Sequence, residues 1–355
     1  MVKVRNNEEG PRVNVRLDVE RWGRNGPTWD RVRAALRHER ADRIPITAWR
    51  HFPGFEDSEG LARVHLAFQM RYGFDLVVFT PTFGYAADPW GFVRGEEVDD
   101  HGRPVEPVRP FEGMDRWPDL RGADLESAPF SEILRGLRLT RRNLREDVPL
   151  LLTVYGPLTT ALFLRGDEIR HDIDGLVSGE DEAGLAPALD TMESALSAFI
   201  DAALELVDGI YYISYFTCSE CTDGDEAALA ALERDLRPLK SLADRNTLLA
   251  LHMHGVDLLF DEVIAYPADV FNWHDRWAKP SLRDARMKSD AVLMGGINEA
   301  DTMHRETPAA VSLQIGDAVS QVEGVGLIIS PGGPINLETP SENLRAAVGA
   351  VEELG

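Results

Sequence analysis

The sequence predicts a (β/α)8 barrel, the TIM-barrel fold of the α/β class. Eight short apolar runs, rich in β-branched or aromatic residues, recur along the 355 residues, and amphipathic helices separate most of them. The runs are continuously apolar and do not alternate with polar residues, which indicates a parallel sheet buried on both faces. Eight such units are the number in this barrel. A doubly wound open sheet is the alternative, because the count depends on where each strand is drawn.

The elements follow one another in a regular order. A polar leader covers residues 1–28, and a single barrel domain covers residues 29–355, beginning with a helix at "WDRVRAALRHER". In the clearest later helix, one apolar face is formed by Leu189, Met192, Leu196, Phe199, Ala203 and Leu206. Inserts follow the second strand near 81–130 and the third near 156–180. The eight predicted strands are 44–50, 75–80, 149–156, 209–216, 247–254, 269–274, 291–298 and 326–333.

Charge and hydropathy restrict the classes of partner. The formal net charge is −23, so nucleic acid and anionic membranes are not expected partners, since their affinity for proteins comes mostly from clustered Lys and Arg. A small anionic substrate remains possible, because it responds to the field of its own pocket. No apolar run approaches the roughly 18 residues of a membrane span, and the start of the sequence has no apolar signal-peptide core. We therefore expect a cytoplasmic protein.

Polar residues gather at the carboxyl ends of the predicted strands, where the sites of such barrels are built. Two histidines, His252 and His254, end the run "LLALHMH" and point the same way, because alternate strand residues share a face. His274 ends the next strand. This pattern offers imidazoles to zinc or a similar cation, with Cys218 or Asp275 as a further ligand. The alternative is that the histidines donate to carbonyl or hydroxyl groups at a crowded barrel mouth.

The first strand delivers Arg50 to its carboxyl end, flanked by Trp49 and His51. A guanidinium there is suited to bidentate capture of a carboxylate or phosphate, and the alternative is an ion pair with Asp75 or Asp88. The turn "SPGGP" after the last strand offers backbone amides of Gly332 and Gly333 to an anion, or is only a turn. Cys218 and Cys221 form a C-x-x-C pair, which in a reducing compartment suggests metal or redox chemistry more than a structural disulfide, and the alternative is that they are ordinary loop residues. Motifs of the types G-x-G-x-x-G, Walker A and G-x-S-x-G are absent from the sequence.

Several segments in order resemble the uroporphyrinogen decarboxylase superfamily along nearly the whole chain. They are "RVRAALRHERADRIPITAWR", "FDLVVFTP", "YGPLTTALFLRG", "LHMHGVDLLFDEVIAYPADVFNW", "LMGGINEADTM" and "GLIISPGGPINLETPSENLRAAVGAV". The resemblance implies a (β/α)8 fold and commonly a homodimer. It also implies one of two activities: decarboxylation without a cofactor, or cobamide-dependent methyl transfer in which zinc activates a thiol.

The match to the decarboxylases is partial. Arg50 is in register with the first of the two arginines that grip the substrate in that family, and the second has no counterpart in "HFPGFED". The family's catalytic aspartate falls at Thr82, its active-site tyrosine at Phe163 and its C-terminal histidine at Gly333. The loss of these groups argues against a tetrapyrrole with eight carboxylates as the natural substrate.

The methyltransferase branch carries H-x-C-G where this chain has His252-Met253-His254-Gly255, and glycine replaces a later cysteine near "SPGG". Imidazoles in place of thiolates would leave zinc more Lewis-acidic and suited to polarising a carboxylate or carbonyl. That difference favours decarboxylase-like chemistry.

We therefore expect a decarboxylase-like enzyme that acts on a small carboxylated substrate and needs no cofactor, with zinc possible. A corrinoid-linked methyltransferase with altered zinc ligands is the alternative, and a non-catalytic ligand-binding barrel is a second one. Metal ligands are expected among His252, His254, Cys218 and His274. The expected catalytic residues are Arg50, His252, His254 and Asp275. The expected substrate-binding residues are Trp49, His51, Thr82, Tyr155, Phe163, Asn298, Gly332 and Gly333.

Overall fold

The computed structural model describes residues 25–222, 224–243, 245 and 247–355. The predicted leader at 1–28 therefore lies almost wholly outside the described residues. The first described helix, α1 (Pro27–Leu36), carries Pro27 in its first turn, where proline is tolerated because the N–H it lacks has no partner inside the helix.

Seven parallel strands form one curled sheet in which every strand pairs with the next along the chain. Every residue of these strands is buried, as the continuously apolar runs predicted. The parallel α/β sheet is confirmed, and seven of the eight predicted strands are present. The strands are β1 (Val77–Phe79), β2 (Leu150–Tyr155), β3 (Gly209–Ser214), β4 (Leu248–Met253), β5 (Val270–Trp273), β6 (Val292–Ile297) and β7 (Leu327–Pro331).

The predicted first strand, 44–50, is present as a single β-bridge between Ile46 and Ile329. Toward β7, the Thr47 amide donates to the Ile329 carbonyl and the Ile329 amide donates to the Pro45 carbonyl. Toward β1, the Asp75 amide donates to the Ile46 carbonyl. Pro45 has no N–H, and the Ile46 N–H donates to the Asp75 carboxylate instead of to a neighbouring strand. The segment thus contacts both edge strands, but its ladder is too incomplete to be an eighth strand.

Asp75 is fully buried at this seam between β7 and β1. Its carboxylate accepts from the Arg43 Nη1 at 2.6 Å and from the Arg31 Nη1 at 2.9 Å, in addition to the Ile46 amide. A buried carboxylate is tolerated only when charged or hydrogen-bonding groups such as these compensate for its loss of hydration. The seam is therefore fixed by a buried ion-pair network as well as by backbone hydrogen bonds.

Helices cover the outside of the sheet, and none in the described part of the chain is both long and apolar enough to cross a membrane. The predicted amphipathic helix near residue 190 is present as the longest of them. The helices after α1, among which this amphipathic helix is α6, are α2 (Ser58–Tyr72), α3 (Phe130–Asn143), α4 (Pro157–Arg165), α5 (Ile169–Ser178), α6 (Leu185–Leu204), α7 (Asp225–Leu242), α8 (Phe260–Val263), α9 (Leu282–Arg286), α10 (Thr302–Arg305), α11 (Pro308–Gln321) and α12 (Ser341–Glu353).

The two predicted inserts differ in structure. The segment after β1 contains the 3-10 helix Tyr85–Trp90 and two antiparallel bridges, Val93 with Val108 and Val98 with Pro104. The segment 156–180 is helical, since it holds α4 and α5. The first insert is the one that matters for the site, because its bridged region reaches the carboxyl ends of the strands.

Candidate active site

One cavity of about 260 Å³ lies at the carboxyl ends of the strands. This is the position that a barrel fold predicts for a site. Its walls combine strand ends with residues of loops that the sequence did not single out. They are Trp49, His51, His101, Arg103, Tyr155, Ile213, Tyr215, His252, His254, His274, Trp277, Glu299, Ala300 and Pro334.

Three histidines converge in this cavity: His252 in β4, His254 just after it and His274 just after β5. Their ring centroids are 5.5 to 6.1 Å apart. One ring nitrogen from each lies within 4.8 Å of the others, which makes them the one such group of potential metal ligands among the described residues. The register explains the convergence, because His252 pairs with Asn272 across β4 and β5 and His274 follows two residues later.

The hydrogen bonds of His252 fix which nitrogen carries its proton. Its Nδ1 lies 2.6 Å from Oδ1 of Asn272. The Asn272 Nδ2 donates to the carbonyls of Met294 and Pro331, so the amide oxygen must face the imidazole. The proton therefore sits on Nδ1 of His252, and Nε2 keeps its lone pair for a ligand.

His274 is held in the same tautomer by a carboxylate. Its Nδ1 donates to Oε1 of Glu299 at 2.7 Å, and the Trp277 Nε1 donates to the same oxygen at 2.9 Å. Its buried Nε2 has no hydrogen-bond partner in the structure. Burial opposes ionisation of Glu299, but the hydrogen bond and charge of His274 outweigh it and lower the pKa of the carboxyl. A carboxylate–imidazole pair of this kind orients metal-ligating histidines and raises their basicity.

The two glycines of "SPGGP" make room for His274. A Cβ on Gly332 would lie 2.7 Å from the His274 Cα, and a Cβ on Gly333 would lie 2.5 Å from its Cε1. Both distances are far inside van der Waals contact. The turn therefore packs against the imidazole, and neither glycine is among the residues that line the cavity. This differs from the predicted anion cradle.

His254 is the most accessible of the three histidines, and its ring stacks on Tyr215 with centroids 4.0 Å apart. The pKa of His252 is lowered to about 3, mainly by burial, and the neighbouring His274 lowers it further. Burial also lowers the pKa of His254 well below its ordinary value, with His274 and His252 contributing. Both imidazoles are therefore neutral at neutral pH, which is the form that binds metal.

The residues fit a divalent ion of the zinc type. They present three imidazoles: His252 and His254 are held neutral by burial, and His274 has an orphaned buried Nε2 and an orienting carboxylate. Tetrahedral zinc with Zn–N bonds of about 2.0–2.1 Å places its nitrogens roughly 3.3 Å apart, and the three ring nitrogens lie within 4.8 Å of one another. Three protein ligands would leave a fourth position open toward the cavity, as in catalytic zinc sites.

The predicted role of Arg50 needs correction. Side chains alternate along an extended segment, so Trp49 and His51 face the cavity and Arg50 faces away. Its Nη1 donates to the Leu337 carbonyl at 3.0 Å, and its guanidinium lies 5.5 Å from the Phe52 ring. Burial lowers the pKa of Arg50. The side chain is satisfied on the other side of the segment and does not line the cavity.

Cys218 and Asp275, predicted as ligands or catalytic groups, also lie outside the cavity lining. The Cys218 Sγ is 3.2 Å from the Sγ of Cys221 and does not join the histidines. The Asp275 carboxylate turns back to accept from the Gly296 amide at 2.9 Å, and burial raises its pKa to about 7. Of the predicted ligands, the structure brings together His252, His254 and His274 but not Cys218.

Three further predicted substrate contacts lie outside the cavity lining. Phe163 packs edge-on against Tyr155 with centroids 5.1 Å apart. Asn298 uses its Oδ1 to accept the amides of Ala300 and Asp301, which shapes the loop that carries Glu299. The Thr82 carbonyl accepts the amide of Tyr85. None of the three lines the cavity, whereas Trp49, His51 and Tyr155 do, as predicted.

Sequence reasoning missed the residues that complete the walls. His101 and Arg103 come from the insert after β1, and Tyr215, Trp277 and Glu299 come from loops after β3, β5 and β6. The Arg103 Nε pairs with the Asp99 carboxylate at 2.8 Å. Glu299 directly follows the predicted strand 291–298, so its position at a strand end was a usable signal. The residues of the insert gave no comparable signal.

Comparisons with known proteins agree with this architecture. The family described as uroporphyrinogen decarboxylase matches residues 28–354. None of the curated proteins searched matches the sequence. Among solved structures, a methyltransferase from Methanosarcina mazei is 18% identical, with a TM-score of 0.74 over 93% of this chain and 99% of the other. A B12-independent methionine synthase from a Shewanella species is 15% identical, with a TM-score of 0.52 over 84% of this chain and 86% of the other. At these identities the likeness shows the fold alone.

Proposed function

The chain belongs to the uroporphyrinogen decarboxylase family, and on this premise we propose that it is a metal-dependent methyltransferase that acts on a small thiol. The observation that carries the proposal is the cluster of His252, His254 and His274 at the inner end of the cavity. The solved methyltransferase with the same fold supports this choice over decarboxylation. Membership of the family is established, and the specific reaction is our proposal.

The three histidines would hold the ion through the nitrogens described above. A bound zinc ion would lower the pKa of a substrate thiol and keep it as a thiolate at neutral pH. Asn272 and Glu299 fix the tautomers of His252 and His274, so both present a lone pair without rearrangement. The burial that keeps His252 and His254 neutral would also limit water around the thiol.

The rest of the cavity would orient the substrate. Trp49, Tyr155 and Ile213 provide an apolar and aromatic wall, and Arg103 provides a cation at the rim. The His101 Nδ1 donates to the Pro334 carbonyl at 2.9 Å, which leaves its Nε2 available as an acceptor. A thiol with a polar or anionic tail would place its sulfur at the histidines and its tail beside Arg103.

The size of the cavity argues against the tetrapyrrole of the parent family. A volume of about 260 Å³ lies below the roughly 300–1,000 Å³ typical of sites for drug-sized ligands. A tetrapyrrole with eight carboxylates is larger than such ligands, and only one arginine lines the cavity among the described residues. The methyl donor would therefore approach from outside, and we propose a methylated corrinoid for this role.

A second candidate is decarboxylation of a small carboxylic acid. The observation that favours it is the neutral donor set: three imidazoles leave the full charge of a divalent ion, which suits polarisation of a carboxylate or carbonyl. Arg103 would then bind a second carboxylate. This candidate retains the family's decarboxylase chemistry with a smaller substrate.

One anaerobic experiment separates the two candidates. Zinc-loaded protein is incubated with methylcobalamin and a panel of small thiols, and in parallel with a panel of small mono- and dicarboxylic acids. Thiol-dependent loss of the methylcobalamin spectrum, with formation of the methyl thioether, supports methyl transfer. Release of CO₂ from an acid supports decarboxylation. The His274→Ala variant is the control, since it should lose either activity.

If the protein binds zinc stoichiometrically but shows neither activity, both candidates are refuted and the ligand-binding barrel is favoured. Efficient conversion of uroporphyrinogen to coproporphyrinogen would contradict the argument from cavity size.

A further inference from the structure

We propose that Cys218 and Cys221 form a reversible dithiol–disulfide couple that exchanges with low-molecular-weight disulfides and alters the support of His254. The couple itself rests on the cysteine pair alone, whereas its effect on His254 is measured at the metal site of the proposed function and rests on that proposal. The observation that carries it is a separation of 3.2 Å between two free thiol sulfurs.

The local backbone already holds the sulfurs close to bonding geometry. Cys218 precedes a short 3-10 turn, Ser219–Cys221, that brings the second cysteine back over the first. A disulfide has an S–S length of about 2.05 Å, so closing the bond needs a movement of only about 1.2 Å. The two thiols differ in access: Cys218 is 2% exposed, whereas Cys221 is partly exposed. An incoming disulfide would therefore meet Cys221 first.

A metal site at this pair is not supported. Among the described residues, the one cluster of three potential ligands consists of the histidines and contains neither cysteine. Cys221 instead donates its S–H to the Tyr215 carbonyl at 2.8 Å. Two thiols with a carbonyl partner and no third ligand indicate redox chemistry more than metal binding.

The exchange consists of two balanced steps. The Cys221 sulfur attacks one sulfur of an external disulfide such as oxidised glutathione, and the first external thiol leaves with the Cys221 proton. Cys218 then attacks the Cys221 sulfur of the mixed disulfide, and the second external thiol leaves with the Cys218 proton. Two protein thiols are oxidised and one external disulfide is reduced to two thiols.

The loop that carries the pair is fastened to the segment that follows His254. The Ser219 amide donates to the Asp257 carbonyl, and the Thr217 hydroxyl donates to the His254 carbonyl at 3.2 Å. Gly255 has a φ of +112°, and a Cβ there would lie 2.5 Å from the Cys218 Sγ. The Cys218 sulfur therefore packs directly against the backbone beside His254.

Oxidation would also remove a hydrogen bond next to the site. A disulfide has no S–H, so the Tyr215 carbonyl would lose the donor it has in Cys221. The Tyr215 ring stacks on His254 with centroids 4.0 Å apart. The redox state of the pair would therefore be transmitted to one of the three imidazoles through Tyr215.

The test is mass spectrometry and thiol titration of the folded full chain in EDTA, over a series of glutathione redox buffers. We expect both thiols to disappear together and the mass to fall by two hydrogen atoms, with reversal by dithiothreitol. Cys218→Ser should give a stable mixed disulfide at Cys221, and Cys221→Ser should leave the buried Cys218 as a thiol. Circular dichroism checks that each variant is folded. The proposed couple would be refuted if the wild-type protein stopped at the mixed disulfide or stayed reduced throughout.

Transmission to His254 has its own readout. Zinc affinity of the oxidised protein should fall by about tenfold or more, the scale of losing a group that supports a metal ligand. The double variant Cys218→Ser/Cys221→Ser, treated identically, should show no change. Equal zinc affinities of the oxidised and reduced wild-type protein would overturn the transmission. Because the mass measurement is made without metal, failure of the histidine site would not be mistaken for failure of the couple.

Discussion

Replacing Glu299 by glutamine tests whether the carboxylate prepares His274 for metal. Glutamine has the same shape and can still present its oxygen to the Nδ1 of His274 and the Nε1 of Trp277, which lie 2.7 and 2.9 Å from Oε1. Its amide nitrogen would occupy the position of Oε2, which is buried and has no hydrogen-bond partner. The substitution therefore removes the negative charge and leaves the hydrogen-bond geometry in place.

The expected magnitude follows from the loss of that charge. A hydrogen bond to an ionised acceptor is roughly twice as strong as one to a neutral acceptor. Loss of a group that supports a metal ligand typically lowers metal affinity 10–100-fold, which is about 1.4–2.8 kcal/mol. We expect zinc affinity of Glu299→Gln to fall within this range. Because hydrogen bonding lowers the pKa of Glu299 despite its burial, the wild-type carboxyl is ionised at neutral pH and the difference should be fully developed there.

The assay is competition for zinc with a chromophoric chelator, at neutral pH and on protein whose fold is checked by near-UV circular dichroism. Glu132→Gln is the matched control, since that carboxylate accepts from the Ser58 amide in the helical layer and does not line the cavity. Trp277→Phe removes the second donor to Glu299 but keeps the charge, so its loss of affinity should be smaller. Zinc affinity of folded Glu299→Gln within twofold of wild type would refute the argument.

Three other perturbations have defined outcomes. His252→Ala should abolish stoichiometric zinc binding and His254→Ala should weaken it at least about tenfold; unchanged metal content by elemental analysis in both would exclude the site. His65 donates from Nδ1 to the Leu61 carbonyl, accepts the Thr80 amide at Nε2, and has a pKa lowered by burial to about 4. The contribution of neutral His65 to the free energy of unfolding is therefore full above pH 6.5 and is lost as the pH falls toward 4, by about 2 kcal/mol at pH 5. In urea unfolding, His65→Gln should lose correspondingly less stability than wild type between pH 7 and 5. An identical pH dependence of the two proteins would contradict this. Asp75→Asn should lower the free energy of unfolding by about 1.5–3 kcal/mol, because it removes the charged acceptor of the partly buried Arg43 and Arg31, of which Arg31 keeps Asp42; the exposed Asp30→Asn is the control, and equal effects of the two would refute the role of the seam.

The sheet was predictable because burial on both faces imposes a simple requirement on sequence. Each strand from β1 to β7 is buried at every position and is mostly apolar, and each was found from its apolar run. The segment 44–50 has the same composition, but a proline and a side-chain acceptor replace the ladder there. Apolar runs predict burial. Complete strand pairing also requires each backbone N–H to be present and directed at the neighbouring strand, which amino-acid composition does not reveal.

The histidine cluster was predictable for a geometric reason, and the expected anion site at Arg50 was wrong for the same reason. Alternate residues of a strand share a face, which brought His252 and His254 together. The same alternation separates Arg50 from Trp49 and His51, which do face the cavity. Applying the rule to the first strand would have removed Arg50 from the predicted site.

Other parts of the site depend on loop paths, which the spacing of strands does not determine. Glu299 stands one residue beyond a predicted strand, yet its contact with His274 requires the turn shaped by Asn298. Arg103 lies more than twenty residues beyond β1, and only the bridged insert brings it to the cavity. Such residues become visible once the fold of the loops is known.

The cavity is built partly from strand ends and partly from an inserted loop. The strand ends supply the donor atoms, and the loop controls which molecules are admitted. His252 and His274 belong to the ends of buried strands, whereas His101 and Arg103 belong to an insert that pairs mainly with itself. Exchange of the insert for a loop of different length or charge would change which molecules are admitted, while the donor atoms at the base stayed in place. Selectivity and reactivity can then diverge, and libraries confined to residues 92–108 would sample new ligands without altering the strand ends that carry His252 and His274.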